Sequence, residues 1–411
     1  MQRRAFLKQT ALGGAVLVAP AFAQETPAVG QGGEPAVPPE TPVAPLEAPA
    51  AVPPSPAVAP EQPAAAPEAP AVVTAPPKIA WRLASSFPNE SPTLFAGAED
   101  VARYVNEVTD GRFSIEIFPA GDLVQPGQVL EAVQHRVVDC GHTASTRYFD
   151  IDPALCFDAG VPFGLNTRQM NAWMTQGEGL ALTRVLFDKY NILNFPCGYT
   201  GAQMGGWFRG EIKTVDDLRG LKVKAGGFAR HVLARMGATP VEVPVAETYA
   251  ALEQGTVDAV AWIGPYDDEN LALYKVARNY YFPGWWAGTL QLSLYVNQDA
   301  HDELPKPYQS ALALACRMAT GNMIAKYDAG NPDALRRLVS RGAQLKAFPK
   351  PVLQASCEAS LAAYNEMSAK DPMFQKLYES MAAFRDKETP WFRLAEGSFD
   401  NLVATLGQPA G

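Results

Sequence analysis

The spacing of apolar residues predicts the first three elements of the folded part of the chain. Residues 79–84 are mostly apolar, which is typical of a buried strand. After Ser91 and Pro92, which suit the start of a helix, apolar side chains recur at intervals of three and four up to Val108, and this spacing indicates an amphipathic helix. Residues 113–117 then alternate apolar and polar, as in a strand with one buried face. The predicted order is β-α-β.

A second pattern lies at residues 255–288 and organises the rest of the chain. An apolar run over residues 257–263 is closed by Gly264-Pro265, which predicts a buried strand that stops at a turn. Ligands of open α/β sheets bind beyond such carboxyl ends, and Trp262 stands at this edge. Residues 267–269 are three acids that we interpret as charges at a helix start. The aromatic residues at 280–286 are typical of a core.

An internal echo predicts two similar lobes. Residues 132–139 resemble residues 251–258, because each segment combines a helix end, a turn and an aspartate that leads into a strand. Recurrence of one β-α-β piece is what a two-lobed α/β protein shows.

Further patterns complete the predicted α/β chain. Helices are expected over residues 171–190, 228–236 and 307–327, and strands over residues 192–197 and 221–224. Residues 349–406 are predicted to be mostly helical with a break at Pro390. The last part of this tail carries more large apolar side chains than one terminal helix needs, so we expect it to bury itself in a second subunit.

Composition and charge narrow the function classes. The chain has 411 residues, 47% of them hydrophobic, which is enough for about two domains. A net charge of -9 argues against nucleic acid and anionic lipid as partners. Five scattered cysteines form no C-x-x-C pair and predict no disulfide, and four histidines without a metal motif predict no zinc site. No catalytic constellation is recognisable.

The N-terminus predicts export. Arg3 and Arg4, a short apolar stretch and the segment Ala21-Phe22-Ala23 form a twin-arginine signal peptide over residues 1–23, which implies a periplasmic product. Residues 24–77 are rich in proline and alanine and predict a disordered tether. If the signal stays uncleaved, it anchors the protein to the membrane. We predict lobe one at residues 78–202 plus 290–340, lobe two at 203–289 plus 341–370, and a dimerisation tail at 371–411.

Four segments resemble one known family. They are VPFGLNTR at residues 161–168, TGAQMGGWF at 200–208, GPYDD at 264–268 and YFPGWW at 281–286. These resemble the DctP family, the solute receptors of TRAP transporters, in the branch that binds 2-oxo acids and lactate. The resemblance implies a two-lobed periplasmic-binding-protein fold with a long bridging helix and a helical C-terminal tail. It also implies a homodimer formed through the C-terminal helix, and delivery of a small organic acid anion to a permease with small and large membrane subunits.

The resemblance also implies the binding site. Gln203 and Trp262 stand where the branch places a metal-coordinating amide and a backbone carbonyl. Tyr148, beside Arg147 in the loop after His142, and Trp286, in the segment at 281–286, are also expected to bind the substrate. Two cation-ligating glutamates of the family pattern are replaced by Ala261 and Ala287.

The substrate-binding arginine of the family pattern is replaced by Lys224, and Arg147 appears where an aromatic residue is usual. The two remaining ligands, Gln203 and the Trp262 carbonyl, are too few for Ca²⁺ and poor for Na⁺, and they would hold a cation only if one is bound. We therefore expect no metal or other cofactor, and Lys224 and Arg147 holding the anion directly.

Three functions are compatible with these residues. The favoured one is a non-enzymatic receptor for a 2-oxo acid or a lactate-like monocarboxylate that binds without a bridging cation. The second is an enzyme acting on a small carboxylate in the same cleft, with Lys224 forming a Schiff base. The third is a sensor module, which the long tether suggests.

Overall fold

The computed structural model describes residues 76–406, and these residues contain two β-sheets surrounded by helices. The predicted signal peptide and all but the last two residues of the predicted tether lie outside the described residues. Of those two, Pro76 accepts a hydrogen bond from Arg112 at 3.3 Å, and Pro77 accepts one from the Tyr308 hydroxyl at 2.9 Å.

The strands are β1 (Ile79–Ser85), β2 (Phe113–Phe118), β3 (Cys140–Thr143), β4 (Ile192–Tyr199), β5 (Trp207–Phe208), β6 (Lys222–Lys224), β7 (Thr239–Pro240), β8 (Ala259–Val260), β9 (Asn279–Phe282), β10 (Gln291–Asn297) and β11 (Gln344–Ala347). The helices are α1 (Pro92–Val108), α2 (Val129–Gln134), α3 (Thr167–Thr175), α4 (Gly179–Asp188), α5 (Gly227–Arg235), α6 (Thr248–Gln254), α7 (Pro265–Leu271), α8 (Gln298–Asp302), α9 (Lys306–Ser340), α10 (Lys350–Ser368), α11 (Pro372–Phe392) and α12 (Ser398–Leu406).

Each sheet forms the centre of one lobe. The first sheet has the order β2-β1-β3-β10-β4, in which β1, β2 and β3 run parallel and β10 is antiparallel to both of its neighbours. The second has the order β11-β9-β5-β8-β6-β7, in which β5 is antiparallel to β8 and β9. This two-lobed α/β arrangement is the predicted fold class. Because each lobe includes strands that are distant in sequence, the chain crosses between the lobes more than once.

The predicted β-α-β start is confirmed, and its apolar pattern explains the packing. Leu94, Ala98, Val101 and Val105 are buried on α1, whereas Val108 at its end is exposed. Ser91 stands at the N-cap position, but its side chain makes no capping hydrogen bond. The alternation in β2 buries Phe113 and Ile115 on the helix side, as a period of two requires.

The predicted echo is also confirmed in atomic detail. Asp139 accepts a hydrogen bond from the backbone N–H of Arg82 at 2.8 Å, just before β3. Asp258 accepts one from the backbone N–H of Lys222 at 3.0 Å, just before β8. In each lobe, therefore, an aspartate that leads into one strand fixes the register of the parallel strand beside it.

The helix predicted over residues 171–190 is wrong as a single element. The structure has α3 and α4 with a break between them at Gly177, where an added Cβ would lie 2.8 Å from the carbonyl oxygen of Trp173. The strand predicted over residues 257–263 is also shorter than expected, since β8 contains only two residues. The residues after β8 leave the sheet and carry Trp262 to the edge of lobe two.

The bridging helix is longer than its sequence pattern predicts. The sequence Gly330-Asn331-Pro332 is typical of a helix end. Helix α9 nevertheless continues through these residues and is 35 residues long in total. Asn331 accepts a hydrogen bond from the backbone N–H of Tyr266 at 3.0 Å, and the Tyr266 ring packs against Gly330, where a Cβ would lie 2.7 Å away. Tertiary contact with α7 thus holds a helix that local propensity would end, and α9 packs on α1, β4 and α7.

The C-terminal tail is helical as predicted, but the break is not at Pro390. Helix α11 includes Pro390 and runs to Phe392, and a π-helical turn over Arg393–Gly397 joins it to α12. The Thr389 hydroxyl donates to the carbonyl of Arg385 at 2.7 Å in the last turns of α11. A proline this close to the helix end disturbs the hydrogen bonds that follow it, and the π-helical turn lies directly after it.

All five cysteines are free, and four of them are buried. Within residues 76–406, no helix is both long and apolar enough to cross a membrane.

Candidate functional site

The candidate site lies where β3, β6 and β8 end. Strands β6 and β8 are parallel neighbours with Lys224 opposite Val260, and the Ala261 N–H donates to the Lys224 carbonyl at 2.9 Å. This pairing places Lys224 beside Trp262. The Lys224 ammonium lies 4.5 Å from the centroid of the Trp262 ring, a cation–π contact at the strand ends of lobe two.

Lobe one contributes Arg147 from a helical turn, Ser145–Tyr148, that follows β3. This turn packs on the first residues of α5, because a Cβ added to Gly227 would lie 3.0 Å from the Cβ of Thr146. Phe149 stacks on Phe228 with ring centroids 5.3 Å apart. Arg147 is therefore held against the segment that begins three residues after Lys224.

Arg147 and Lys224 are two positive charges without acidic partners. Among residues 76–406, neither side chain forms an ion pair or a hydrogen bond with a carboxylate. Burial and, to a smaller extent, the charge of Arg147 lower the pKa of Lys224 to about 8, against the opposing charge of Asp268. Arg147 keeps solvent access but is enclosed by protein on most sides, and this desolvation lowers its pKa. Such a cleft edge favours an anion.

Gln203 and Trp286 lie on two loops of lobe two that are hydrogen-bonded to each other. The Gln203 carbonyl accepts from the Gly284 N–H at 3.0 Å, and the Met204 N–H donates to the Ile263 carbonyl at 3.0 Å. The structure thus brings the segments of Gln203, Trp262 and Trp286 together. Trp286 is buried, and its indole Nε1 has no hydrogen-bond partner among residues 76–406.

Tyr148 faces the core. Its side chain is fully buried, and its hydroxyl lies 2.9 Å from the Thr143 hydroxyl. The structure therefore brings Lys224 together with Trp262 and within electrostatic range of Arg147. The loops of Gln203 and Trp286 contact each other and the segment after Trp262. The Tyr148 ring is buried in the core.

The residues present do not fit the bridging cation that the resemblance implies. Ala261 and Ala287 have no side-chain oxygen, so of the four cation-ligating positions that the resemblance implies only the Gln203 amide and the Trp262 carbonyl remain. Ca²⁺ takes six to eight oxygen ligands, several of them usually carboxylates. No cluster of three or more His, Cys, Asp or Glu side chains within residues 76–406 is placed to hold a metal. The carboxylate of the buried Asp268 already accepts hydrogen bonds from protein donors, Trp207 and Tyr280, both at 2.8 Å.

Two features of the site were missed from the sequence. Phe87, in the loop after β1, lies under Arg147 with its ring centroid 5.5 Å from the guanidinium carbon. His142 in β3 is fully buried beside Phe87, and burial lowers its pKa to about 3, so it is neutral. Their position at carboxyl ends of adjacent parallel strands is the signal that points to them.

An ion pair also joins the lobes. Arg230 on α5 donates to Asp150 at 2.6 Å and to Glu242 at 2.8 Å. Arg230 and Asp150 are 80 residues apart, and nothing in the sequence pairs them. A separate groove between α10 and α11, lined by Phe163, Tyr364 and Arg385, shares no residue with the site.

Comparison with known proteins identifies similar chains. A family model, DctP, bacterial extracellular solute-binding protein, family 7, matches residues 84–371. The chain is 44% identical over 329 residues to a monocarboxylate 2-oxoacid-binding periplasmic protein of Nostoc sp., covering 80% of this chain and 90% of the relative.

Two solved structures show the same fold. A TRAP transporter solute binding protein from Bordetella bronchiseptica is 45% identical, with a TM-score of 0.77 over 79% of this chain and 97% of that one. That structure is a dimer of mixed occupancy: it has an active site with copurified calcium and picolinate bound, and an apo site. A TRAP periplasmic solute binding protein from Pseudoalteromonas atlantica, with bound sodium and pyruvate, is 35% identical, with a TM-score of 0.76 over 79% of this chain and 99% of that one.

Proposed function

The chain belongs to the DctP family of bacterial extracellular solute-binding proteins, family 7, and from that membership we propose that it is the receptor of a TRAP-type secondary transporter. It captures a small organic acid, a 2-oxo acid or a lactate-like monocarboxylate, and delivers it to the small and large membrane subunits of the permease. The family and the similar proteins are binding proteins, so the chain is not an enzyme.

The observation that carries this proposal is the pair of cationic side chains at the cleft edge. Arg147 comes from lobe one and Lys224 from lobe two, and neither has an acidic partner within residues 76–406. A cleft with two unmatched positive charges favours a small anion that both lobes can contact. Similar proteins bind acids of this class, namely 2-oxoacids, pyruvate and picolinate.

The place of action follows from the N-terminal residues. A twin-arginine signal would export the folded receptor to the periplasm, and the proline-rich tether would let it move away from the membrane if the signal stays uncleaved. Fractionation of cells, with and without Arg3→Lys and Arg4→Lys, tests this part. Loss of export in the variant supports the twin-arginine route, and unchanged export contradicts it.

Thermal unfolding tests the receptor function. The purified chain, stripped of bound solute, is heated with pyruvate, longer 2-oxo acids and lactate, and with glucose and ethylamine as uncharged and cationic controls. An acid present at about 1,000 times its dissociation constant should add roughly 4 kcal/mol to the free energy of unfolding. The proposal predicts stabilisation by at least one acid and none by the controls. Stabilisation by no acid would contradict it.

We also propose that the C-terminal helix binds a second copy of this chain. The similar Bordetella structure is a dimer, and the end of the tail exposes six large apolar side chains, between 51% and 73% accessible. They are Trp391, Leu394, Phe399, Leu402, Val403 and Leu406. Light scattering should give twice the monomer mass, and Leu402→Lys with Leu406→Lys should give the monomer. A monomeric parent chain would contradict this part.

A further inference from the structure

We propose that Arg147 and Lys224 together take the place of a bridging cation, hold the carboxylate of the acid directly from the two lobes, and so make binding independent of Ca²⁺ and Na⁺. This inference rests on the proposed receptor function and names the groups that decide its specificity. It departs from the similar structures, which contain calcium or sodium together with their acids.

The first step is geometric. The turn that carries Arg147 touches the start of α5 through Thr146 and Gly227, and Lys224 ends the strand that leads into α5. The two charged side chains thus come from segments in van der Waals contact across the lobes. Each packs on an aromatic face, Phe87 for Arg147 and Trp262 for Lys224, which limits the directions that its charged end takes.

The second step concerns what a cation would meet. Two fixed positive charges would repel it, and Ala261 and Ala287 supply no compensating carboxylate. The acid whose charge acts on Lys224 is Asp268, which is buried and accepts hydrogen bonds from Trp207 and Tyr280. A metal ion would therefore be desolvated without enough negative ligands.

The third step is the match to a carboxylate. Arg147 has a planar fork of donors that binds a carboxylate through two parallel hydrogen bonds, and Lys224 adds a compact charge with three donors. These groups satisfy a carboxylate without a bridging ion.

The test is isothermal titration of the full-length chain with pyruvate and with 2-oxopentanoate in three buffers: Ca²⁺, Na⁺, and a sodium-free buffer with chelator. The inference predicts dissociation constants that agree within about threefold across the three buffers. An acid that binds only with Ca²⁺ or Na⁺ would overturn the inference and leave the receptor function intact. An absence of binding in every buffer would overturn the receptor function and the inference with it.

Variants assign the binding to the two side chains. Arg147→Gln and Lys224→Gln should each weaken acid binding by about tenfold or more, since each removes a charged hydrogen-bond donor. Lys224→Arg should retain binding because it keeps the charge. The matched control is Lys222→Gln, on the same strand, where the exposed Nζ donates to the Gly255 carbonyl at 3.1 Å; its affinity should not change.

The unfolding temperature of each variant without acid shows whether a loss of binding reflects a loss of folding. Within residues 76–406, neither Arg147 nor Lys224 donates a side-chain hydrogen bond, so their glutamine variants should unfold at the parent temperature without acid. A full-affinity Lys224→Gln or Arg147→Gln variant would overturn the direct contact.

Discussion

The two lobes each contain a buried, hydrogen-bonded carboxylate, but they differ in the side chains at the cleft. Each lobe buries one carboxylate whose pKa is raised to about 7 by desolvation, Asp158 in lobe one and Asp268 in lobe two. Asp158 accepts from Asn194 at 2.7 Å, and Asp268 accepts from Trp207 at 2.8 Å. Both acids accept hydrogen bonds from side chains of their sheet, and these hydrogen bonds stabilise the fold.

At the cleft edge the similarity ends. Strand β3 of lobe one carries His142, which is buried and neutral, whereas β6 of lobe two ends in Lys224, which is charged. Lobe one supplies its cation from the turn after β3, at Arg147. A repeated scaffold therefore fixes where side chains stand, and the substitutions at strand ends decide what the cleft binds.

The largest expected effect concerns the two buried acids. Asp158→Ala and Asp268→Ala each leave buried donors without an acceptor, so each should lower the free energy of unfolding by about 3 to 5 kcal/mol. Urea unfolding measures both. Because the two buried acids have equivalent roles, the two losses of unfolding free energy should be similar. A loss in only one of the variants would show that the acids are not equivalent.

The next effect is the pH dependence of stability at Asp268. Its pKa is about 7 in the folded chain and near the ordinary 3.8 in the unfolded chain, so the folded state binds the extra proton between these values. The stability contributed at this site therefore falls as pH rises from about 4 to about 7. Relative to the parent, Asp268→Asn should gain on the order of 2 kcal/mol between pH 5 and pH 8.

A smaller effect is the pH dependence of acid binding at Lys224. The pKa of about 8 means that Lys224 loses its charge as pH rises through this value, whereas a bound carboxylate favours the charged form. Affinity should thus fall by up to about tenfold per pH unit above pH 8, as titration calorimetry can measure. Lys224→Arg should remove this dependence. No inflection should arise from His142, whose pKa of about 3 keeps it neutral.

The smallest effect is expected at Trp262. Its ring lies under the Lys224 ammonium, and Trp262→Leu removes a cation–π contact of about 0.5 to 1 kcal/mol. Acid binding should weaken about two- to fivefold. The Phe87→Leu variant tests the equivalent contact of Arg147 in lobe one, where the longer distance of 5.5 Å predicts a smaller change. A larger loss at Phe87 would reverse the assignment of the stronger aromatic contact to lobe two.

Much of the fold was predictable because it rests on local pattern. The period of α1, the alternation of β2 and the echo of Asp139 and Asp258 depend on residues close in sequence, and the structure bears them out. One error arises where a distant contact overrides local propensity, because helix α9 passes Pro332 while Tyr266 packs against it. The break between α3 and α4 is local, since Gly177 lies against the carbonyl oxygen of Trp173 four residues earlier.

The two-lobed α/β class, the family and the candidate side chains of the site are all recognisable from the amino-acid sequence. Arg147, Lys224 and the alanines at 261 and 287 are visible in the printed chain. Only the tertiary structure decided that Arg147 and Lys224 come from touching segments of opposite lobes, that both lack acidic partners among residues 76–406, and that Tyr148 faces the core. The physical reason is that charge pairing and burial depend on distances between residues far apart in the chain, which no local pattern encodes.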